Sequence, residues 1–428
     1  MIPNITQGKI FRFWLPLLGT WLLMAIELPA LNALITHLSN IEINLAAFGI
    51  GYAIFLLAEA PIIMLNMVAI KLLKDQTSYR QLKKFADGMT LIITILMLIV
   101  IATPLFQLIT LNALKLPPEV VRLSHHVLLI LLPAYIAIGI RRFYQGVLMS
   151  RHLTKFIGVA ILIRVVSTLL VAFLLFTFSK LEGAIMAAIS LVIGIIIEAI
   201  CTRLLTITPL KHLPQNVSTS INFRQIFNFY YPLAITGIVS LAITPIVTLF
   251  LARAPDALIS LAIFPVINAL ITIFKSIAMS YQEVVAALMN HQPQHHILLR
   301  RVAFEIGIIV AVILIILAFT PIAHVYLQSI NNLSDSLFKL ALLPMQILSL
   351  YPILTLMIIW ERGLLIGKAH TSIFSLSAII EILVVAILLF ILCIILNMSG
   401  LLASSIALCA GRIAGYIILK SATYKVFR

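Results

Sequence analysis

Long apolar runs broken by short polar stretches organise the chain. They fall at 10–38, 44–73, 82–112, 120–149, 154–178 and 183–206, then at 224–252, 256–289, 297–328, 335–365, 370–396 and 400–424. About 20 apolar residues cross a bilayer at ~1.5 Å rise per residue, so each run predicts a transmembrane helix. The one long polar connection is TPLKHLPQNVSTSIN at 208–222. It divides six helices from six and predicts an N-terminal lobe at 1–207, a linker at 208–222 and a C-terminal lobe at 223–428.

The two series repeat each other. Phe11-Arg-Phe-Trp-Leu-Pro-Leu17 returns as Phe227-Asn-Phe-Tyr-Tyr-Pro-Leu233, 216 residues on, and Pro29 falls on Pro245. Thr103-Pro104 matches Thr320-Pro321, and Leu132-Pro133 matches Leu343-Pro344. Gly146, Thr154, Gly183 and Gly194 meet Gly363, Thr371, Gly400 and Gly411 at an offset of 217. Six helices per copy is an even number, so the copies share one orientation, as in parallel repeats related by an axis along the membrane normal. The fold class predicted is an all-α polytopic membrane protein of twelve helices in two six-helix lobes.

Composition agrees. Hydrophobic residues make up 62% of the chain and charged residues 10%, against ~45–50% apolar residues in soluble domains. The first run continues to Glu27 with no small-residue cleavage site, so it reads as a retained helix and not a signal peptide. The net charge of +15 is explained by topology. Of the Lys and Arg residues, 21 fall in or beside the loops of one side and five on the other. The positive-inside rule then places both termini in the cytoplasm and excludes nucleic acid as the cause of the charge. A bacterial inner membrane is the expected setting, with the chain as a monomer in the lipid bilayer. Cys201, Cys393 and Cys409 show no ligand spacing and read as small buried hydrophobes.

Charges inside the apolar runs are the candidate chemistry, because a carboxylate at the centre of a lipid-facing helix costs roughly 2.5–3.5 kcal/mol. Glu27 lies in the first helix, with Thr20 seven residues before it and Asn32 just after. An acidic group away from water suits a proton or Na+ site, so these three are the candidate ion-coupling residues; a structural carboxyl kept protonated is the alternative reading of Glu27. Its repeat partner is the uncharged Ile243.

Tyr52, Glu59 and Asn66 are each seven apart and share a helix face to within about 20° per step. Their counterparts are Asn268, Lys275 and Gln282. Glu59 and Lys275 are opposite in sign, which suits a state-dependent lock between the lobes; local partners within each lobe are the competing arrangement. Arg164 and Glu381 repeat the opposition 217 residues apart, and Arg412 stands opposite Ile195. The candidate gating residues are therefore Glu59, Lys275 and Glu381. The candidate substrate-binding residues are Arg164, Arg412, Tyr52, Asn268, Lys275 and Gln282. Arginine can hold carboxylate or phosphate through two parallel hydrogen bonds, and a basic cavity would concentrate an anion; structural ion pairs between neighbouring helices are the alternative. His291, His295 and His296 read as a polar turn and not as a metal site. No hydrolase or nucleotide-binding motif is present, so no catalytic residue and no cofactor beyond a coupling H+ or Na+ is expected.

Arg362-Gly-Leu-Leu-Ile-Gly367, ending at Thr371, resembles a signature of the multidrug/oligosaccharidyl-lipid/polysaccharide exporter superfamily, with Gly146-Val-Leu-Met and Thr154 as its weaker first-half copy. The chain is most similar to the progressive ankylosis membrane protein family. That likeness rests on Phe48-Gly-Ile-Gly-Tyr52 running to Pro61, on Phe229-Tyr-Tyr-Pro-Leu233 to Pro245-Ile-Val and Arg253, and on Leu343-Pro344 with Ser349-Leu-Tyr-Pro352. It implies secondary active export of a small organic or phosphate-containing anion by alternating access. The wider superfamily implies a cation-coupled multidrug antiporter or a flippase for lipid-linked oligosaccharide instead. Its cation-coupled exporters carry an acidic residue on helix 1, the region of Glu27.

Overall fold

The computed structural model describes residues 6–35, 37–113, 117–215, 221–251, 253–291, 296–330, 335–367 and 372–427. Every regular element among them is helical. The first series comprises α1 (Gln7–Ile35), α2 (Ile41–Ile63), α3 (Leu65–Leu72), α4 (Gln76–Ala102), α5 (Pro118–Ser150), α6 (Thr154–Phe178) and α7 (Gly183–Lys211). The second comprises α8 (Phe223–Leu251), α9 (Ala257–His291), α10 (His296–Phe319), α11 (Asp335–Leu348), α12 (Tyr351–Gly367), α13 (Ser372–Leu389) and α14 (Gly400–Phe427). Among the described residues, 11 helical stretches are long and apolar enough to cross a membrane, with α2–α3 and α11–α12 each counted as one. The protein is an integral membrane protein.

Proline explains where the predicted runs break. The run at 44–73 divides at Met64, whose N–H bonds back to the carbonyl of Pro61 at 3.1 Å in a tight turn. The run at 335–365 divides at Ser349-Leu350, ahead of Pro352, which has no N–H to give the carbonyl of Leu348 and whose ring would clash with it. Proline also disfavours the helical conformation in the residue before it, so Thr103 is extended (φ −110°, ψ 166°) before Pro104 and ends α4. Helical chain then resumes from Leu105 and passes into a π-helix at Leu108–Ala113. The second copy does likewise after Pro321, with a π-helix at Val325–Ile330.

The chain forms two compact units. One is Leu15–Ile238; the other is Val239–Arg428 together with the start of α1 up to Trp14. The boundaries therefore lie inside α1 and α8, not at the expected linker 208–222, of which 216–220 lie outside the described residues. Aromatic anchoring at the starts of these two helices accounts for the shift. Trp14 donates from Nε1 to Ser280 Oγ at 2.8 Å and meets the Tyr281 ring edge-on. Tyr230, its repeat partner, donates from Oη to Pro61 O at 3.1 Å and packs edge-on against Phe85. In the first unit α5 is central, touching α2, α3, α4 and α7; in the second, α14 packs on α11, α12 and α13.

The repeat also preserves a cap. The N–H of Ala184 donates to Asn44 Oδ1 at 2.9 Å, and the N–H of Leu401 donates to Ser260 Oγ at 2.8 Å. Asn44 and Ser260 are 216 apart; Ala184 and Leu401 are 217 apart. The second copy adds Asp256, which accepts from Ser399 Oγ at 2.7 Å and from Gly400 N–H at 2.8 Å. Partial burial pushes the Asp256 carboxyl up. The hydrogen bonds from Gly400, Ser399 and Ser260 outweigh this and hold it below the usual carboxylate range.

Asp256→Ala leaves the first turn of α14 without these acceptors, and a lost cap of this kind costs about 1 kcal/mol. A lower melting temperature at neutral pH is the expected result. Because the folded carboxyl is lowered, its contribution is full above the unfolded Asp value of ~3.9 and is lost as pH falls through the folded value. The two melting temperatures should converge in acid; an equal gap at all pH values would show that the carboxylate charge is not what stabilises the cap.

Candidate functional site

In the unit Leu15–Ile238, the intramembrane charges converge on two arginines. Arg164 on α6 holds Glu27 of α1 in a two-pronged pair, Nε to Oε1 at 3.2 Å and Nη2 to Oε2 at 2.5 Å. Its remaining nitrogen, Nη1, donates to Glu198 Oε2 at 3.3 Å. Arg141 on α5 donates to the same Glu198 oxygen at 2.7 Å and lies 3.6 Å from Glu59 Oε1. Gln145 donates to Glu198 Oε1 at 3.0 Å and accepts from Arg142 at 3.4 Å. Thr168 donates to Glu27 Oε1 at 2.8 Å. Three carboxylates and three guanidiniums thus occupy one buried cluster.

A glycine makes the cluster possible. A Cβ on Gly194 would fall 1.9 Å from Thr168 Oγ1 and 3.2 Å from the carbonyl of Arg164. Without it α7 closes on α6, and Glu198, one turn further along the same face, meets Arg164. Gly411 repeats the device: its Cβ would lie 3.0 Å from the carbonyl of Glu381, the residue matching Arg164.

In the other unit, Arg412 on α14 pairs with Glu381 on α13, Nε to Oε1 at 3.2 Å. Its guanidinium lies over the Tyr351 ring, 4.7 Å from the centroid. Lys275 on α9 lines a cavity of about 50 Å³ with Asn268, Thr272, Ser240, Thr244 and Tyr351. The charges acting on Lys275 are those of Arg412, Glu381 and Arg362. Among the described residues Lys275 has no ion-pair partner within 4 Å, and Nε and Nη2 of buried Arg362 have no hydrogen-bond partner. This cluster has three cations and one carboxylate.

Several expectations change against this geometry. Arg141, Arg142 and Arg362, counted with the loops, are 1, 5 and 8% exposed. They lie within helices, α5 running to Ser150 and α12 to Gly367, and not in the loops. Glu198, inside an apolar run, was missed; the same cost argument that singled out Glu27 would have found it. Glu59 finds Arg141 in its own unit, the local arrangement, whereas the expected lock with Lys275 joins residues of different units. Every nitrogen of Arg164 is engaged, so it is an ion-pair anchor and not a free anion receptor. The set Thr20, Glu27 and Asn32 does not converge: Thr20 donates to Leu17 O, Asn32 is exposed, and Thr168 supplies the hydroxyl at Glu27. Tyr52 stacks between Phe48 and Phe55. The break at Met64 interrupts the stripe, so Asn66 lies on α3, while Asn268, Lys275 and Gln282 share the continuous α9. Gln282 does not line the Lys275 cavity. Lys115, His295, Lys368 and Thr371 lie outside the described residues, which contain no metal-binding group of three or more His, Cys, Asp or Glu.

Two helical series in a parallel repeat, with charge clusters buried among apolar helices, define the class: a polytopic membrane bundle of the MATE fold. The solved structures agree. The chain matches a MOP superfamily transporter from Pyrococcus furiosus at 14% identity and TM-score 0.77, over 99% of this chain and 100% of the other. It matches the eukaryotic MATE transporter AtDTX14 at 12% identity and TM-score 0.79, over 97% and 94%. It matches the Vibrio cholerae MATE transporter VcmN at 15% identity and TM-score 0.75, over 98% and 97%. At such identity the likeness establishes the fold. No protein-family model matches the chain, and no curated protein matches it.

Glu198 is the counter-charge shared by two buried arginines, so removing it should be the most damaging single change in the first cluster. Breaking a buried pair costs about 3–5 kcal/mol, so Glu198→Gln should sharply lower folded yield and melting temperature. Glu59→Gln, which loses only the 3.6 Å contact, should cost less. Equal melting temperatures for the two variants would refute Glu198 as the hub.

Proposed function

We propose that this protein is a secondary active transporter that exports a small organic or phosphate-containing anion by alternating access. The observation that carries the reading is the Lys275 cavity, where hydroxyl, amide and phenol groups surround an ammonium with no ion-pair partner and the nearby charges sum to a positive excess. An anion entering there would supply the missing counter-charge, and Asn268 and Thr272 offer further donors. The first cluster, with charges matched one for one, offers no such vacancy for either sign. Two resemblances support the reading. The MATE fold belongs to transporters, and the Pyrococcus furiosus relative is described as having a binding pocket of reverse polarity that suggests a different function. The narrower likeness to the progressive ankylosis membrane protein family points to anionic cargo.

Coupling to a proton or Na+ gradient is assigned to Glu27. A proton on this carboxylate would weaken its two bonds to Arg164 and leave Arg164 held by Glu198 alone. The change in ion pairing would be passed between α1 and α6, the two helices that the pair joins. This gives the gradient a place to act without any free carboxylate in the resting cluster.

In proteoliposomes, Lys275→Gln should reduce efflux of the transported anion at least tenfold and leave the melting temperature within a few degrees of the parent. Transport of a cationic dye, with labelled anions ignored, would overturn the anion reading. Glu27→Gln should abolish the dependence of efflux on the gradient in folded protein; unchanged coupling would remove Glu27 from the mechanism.

A further inference from the structure

A second feature of the unit Val239–Arg428 lies apart from the Lys275 cavity. A groove of about 380 Å³ runs between α10, α12 and α14, within the ~300–1,000 Å³ range of small-molecule sites. It sits where α10 begins and α14 ends, beside Arg300, Arg301, Lys420 and Lys425, at the end of the bundle where basic residues gather. Its lining combines one carboxylate, Glu361, with two cations, Arg300 and Lys420, and with the aromatic residues Trp360, Tyr416 and Tyr424.

Glu361 is 8% exposed, and its Oε2 is buried without a hydrogen-bond partner. Leaving such an acceptor unpaired is expensive, more so for a charged group. Thr423, which also lines the groove, is within hydrogen-bonding reach of the carboxyl, and the charges that act on it are those of Lys420 and Arg300, yet among the described residues neither cation forms an ion pair with it within 4 Å. Both cations are exposed. Lys420 Nζ lies over the Tyr416 ring, 5.6 Å from its centroid. The groove therefore presents a buried negative floor and a positive rim. A purely anionic ligand would meet Glu361, and a purely cationic one would meet Arg300 and Lys420. A zwitterion with its ammonium innermost satisfies both.

We propose that this groove holds the headgroup of an aminophospholipid of the phosphatidylethanolamine class, with the ammonium on Glu361 and the phosphate on Arg300 and Lys420. Tryptophan and tyrosine favour the membrane–water interface, where headgroups lie. Arginine and lysine are the usual phosphate partners, and basic pockets between transmembrane helices are known lipid-headgroup sites. Beyond the rim the surface turns apolar in the direction the acyl chains would take. Phe304 is 70% exposed, and Ile308, Ile309 and Val312 continue along α10 as exposed apolar residues. A primary ammonium has N–H groups to give Glu361. Choline has none, and a glycerol headgroup brings no positive charge.

The full-length protein, purified in detergent, can be titrated with phosphatidylethanolamine, phosphatidylcholine and phosphatidylglycerol of identical acyl chains, with retention read by native mass spectrometry. Phosphatidylethanolamine should be retained at least fivefold over either competitor. Glu361→Gln should bring it down to the phosphatidylcholine level and leave phosphatidylglycerol no weaker. Arg300→Gln with Lys420→Gln should weaken all three. On the unaltered protein, retention should fall stepwise as the amine gains one, two and three methyl groups. That series stands even where a variant fails to fold. A flat methylation series, a preference that survives Glu361→Gln, or displacement of the lipid by soluble phosphorylethanolamine at equal concentration would overturn the proposal.

Discussion

Glu198 lies between two arginines in a stretch of α7, residues 193–200, otherwise made of Ile, Ala and Gly, and the arrangement of its unit follows from having to keep it there. An isolated guanidinium in a low-dielectric interior is costly, and two that share a region repel each other. One carboxylate oxygen that accepts from Arg141 at 2.7 Å and from Arg164 at 3.3 Å relieves both. It can do so only if α5, α6 and α7 approach within a side chain's reach, which the absence of a Cβ at Gly194 permits. Glu27, Glu59, Gln145 and Thr168 take further donor and acceptor places, and Arg141 Nε is left without a hydrogen-bond partner among the described residues. The network is consistent with packing as well as charge, since α7, which carries Glu198, packs closely on both α5 and α6.

The internal repeat shows which parts of this arrangement belong to the scaffold. The cap from Asn44 or Ser260 to the start of the last helix of each copy, the close approach at Gly194 or Gly411, and the anchoring ring of Trp14 or Tyr230 occur in both copies. These bonds satisfy helix ends and allow close packing, needs that any six-helix copy in a membrane has. The charges do not repeat. In the repeat alignment Glu27 corresponds to Ile243, Glu198 to Gly415, Gln145 to Arg362, and Arg164 to Glu381. One scaffold thus carries two electrostatic environments.

Much of this was legible in the sequence, and the reason it was so also marks where legibility ends. Long apolar runs and the 216-residue echo yield the helices and the doubling, because bilayer thickness and backbone hydrogen bonding leave few alternatives. Glu27, Glu59, Arg164, Lys275, Glu381 and Arg412 stand out as charges that lipid would not accept. Arg141, Arg142 and Arg362 did not, because a basic pair at the end of an apolar run looks the same whether it meets water or a carboxylate from another helix. Only tertiary proximity distinguishes the two. Partner choice was hidden for the same reason. Spacing placed Glu59 and Lys275 on matching faces of repeat-related helices, but the carboxylate's partner is set by which guanidinium its own unit brings near.

The contrast between the two clusters limits what each can do. A cluster with every charge matched gains little by admitting an ion, since any newcomer must displace an existing partner and leave another group unpaired. In the proposed function its response to a proton would be a change of pairing, which does not hold cargo. A cluster with excess positive charge has the opposite property: its least costly neutral state includes a ligand. A lysine is well suited to that vacancy, because a flexible stem and compact ammonium let it follow a guest that a stacked, two-pronged arginine such as Arg412 could not. In the proposed transporter the matched cluster would take the energy input and the unmatched one the cargo, on different copies of one repeated unit. Each copy could then diverge in charge while the packing that defines the fold stayed the same.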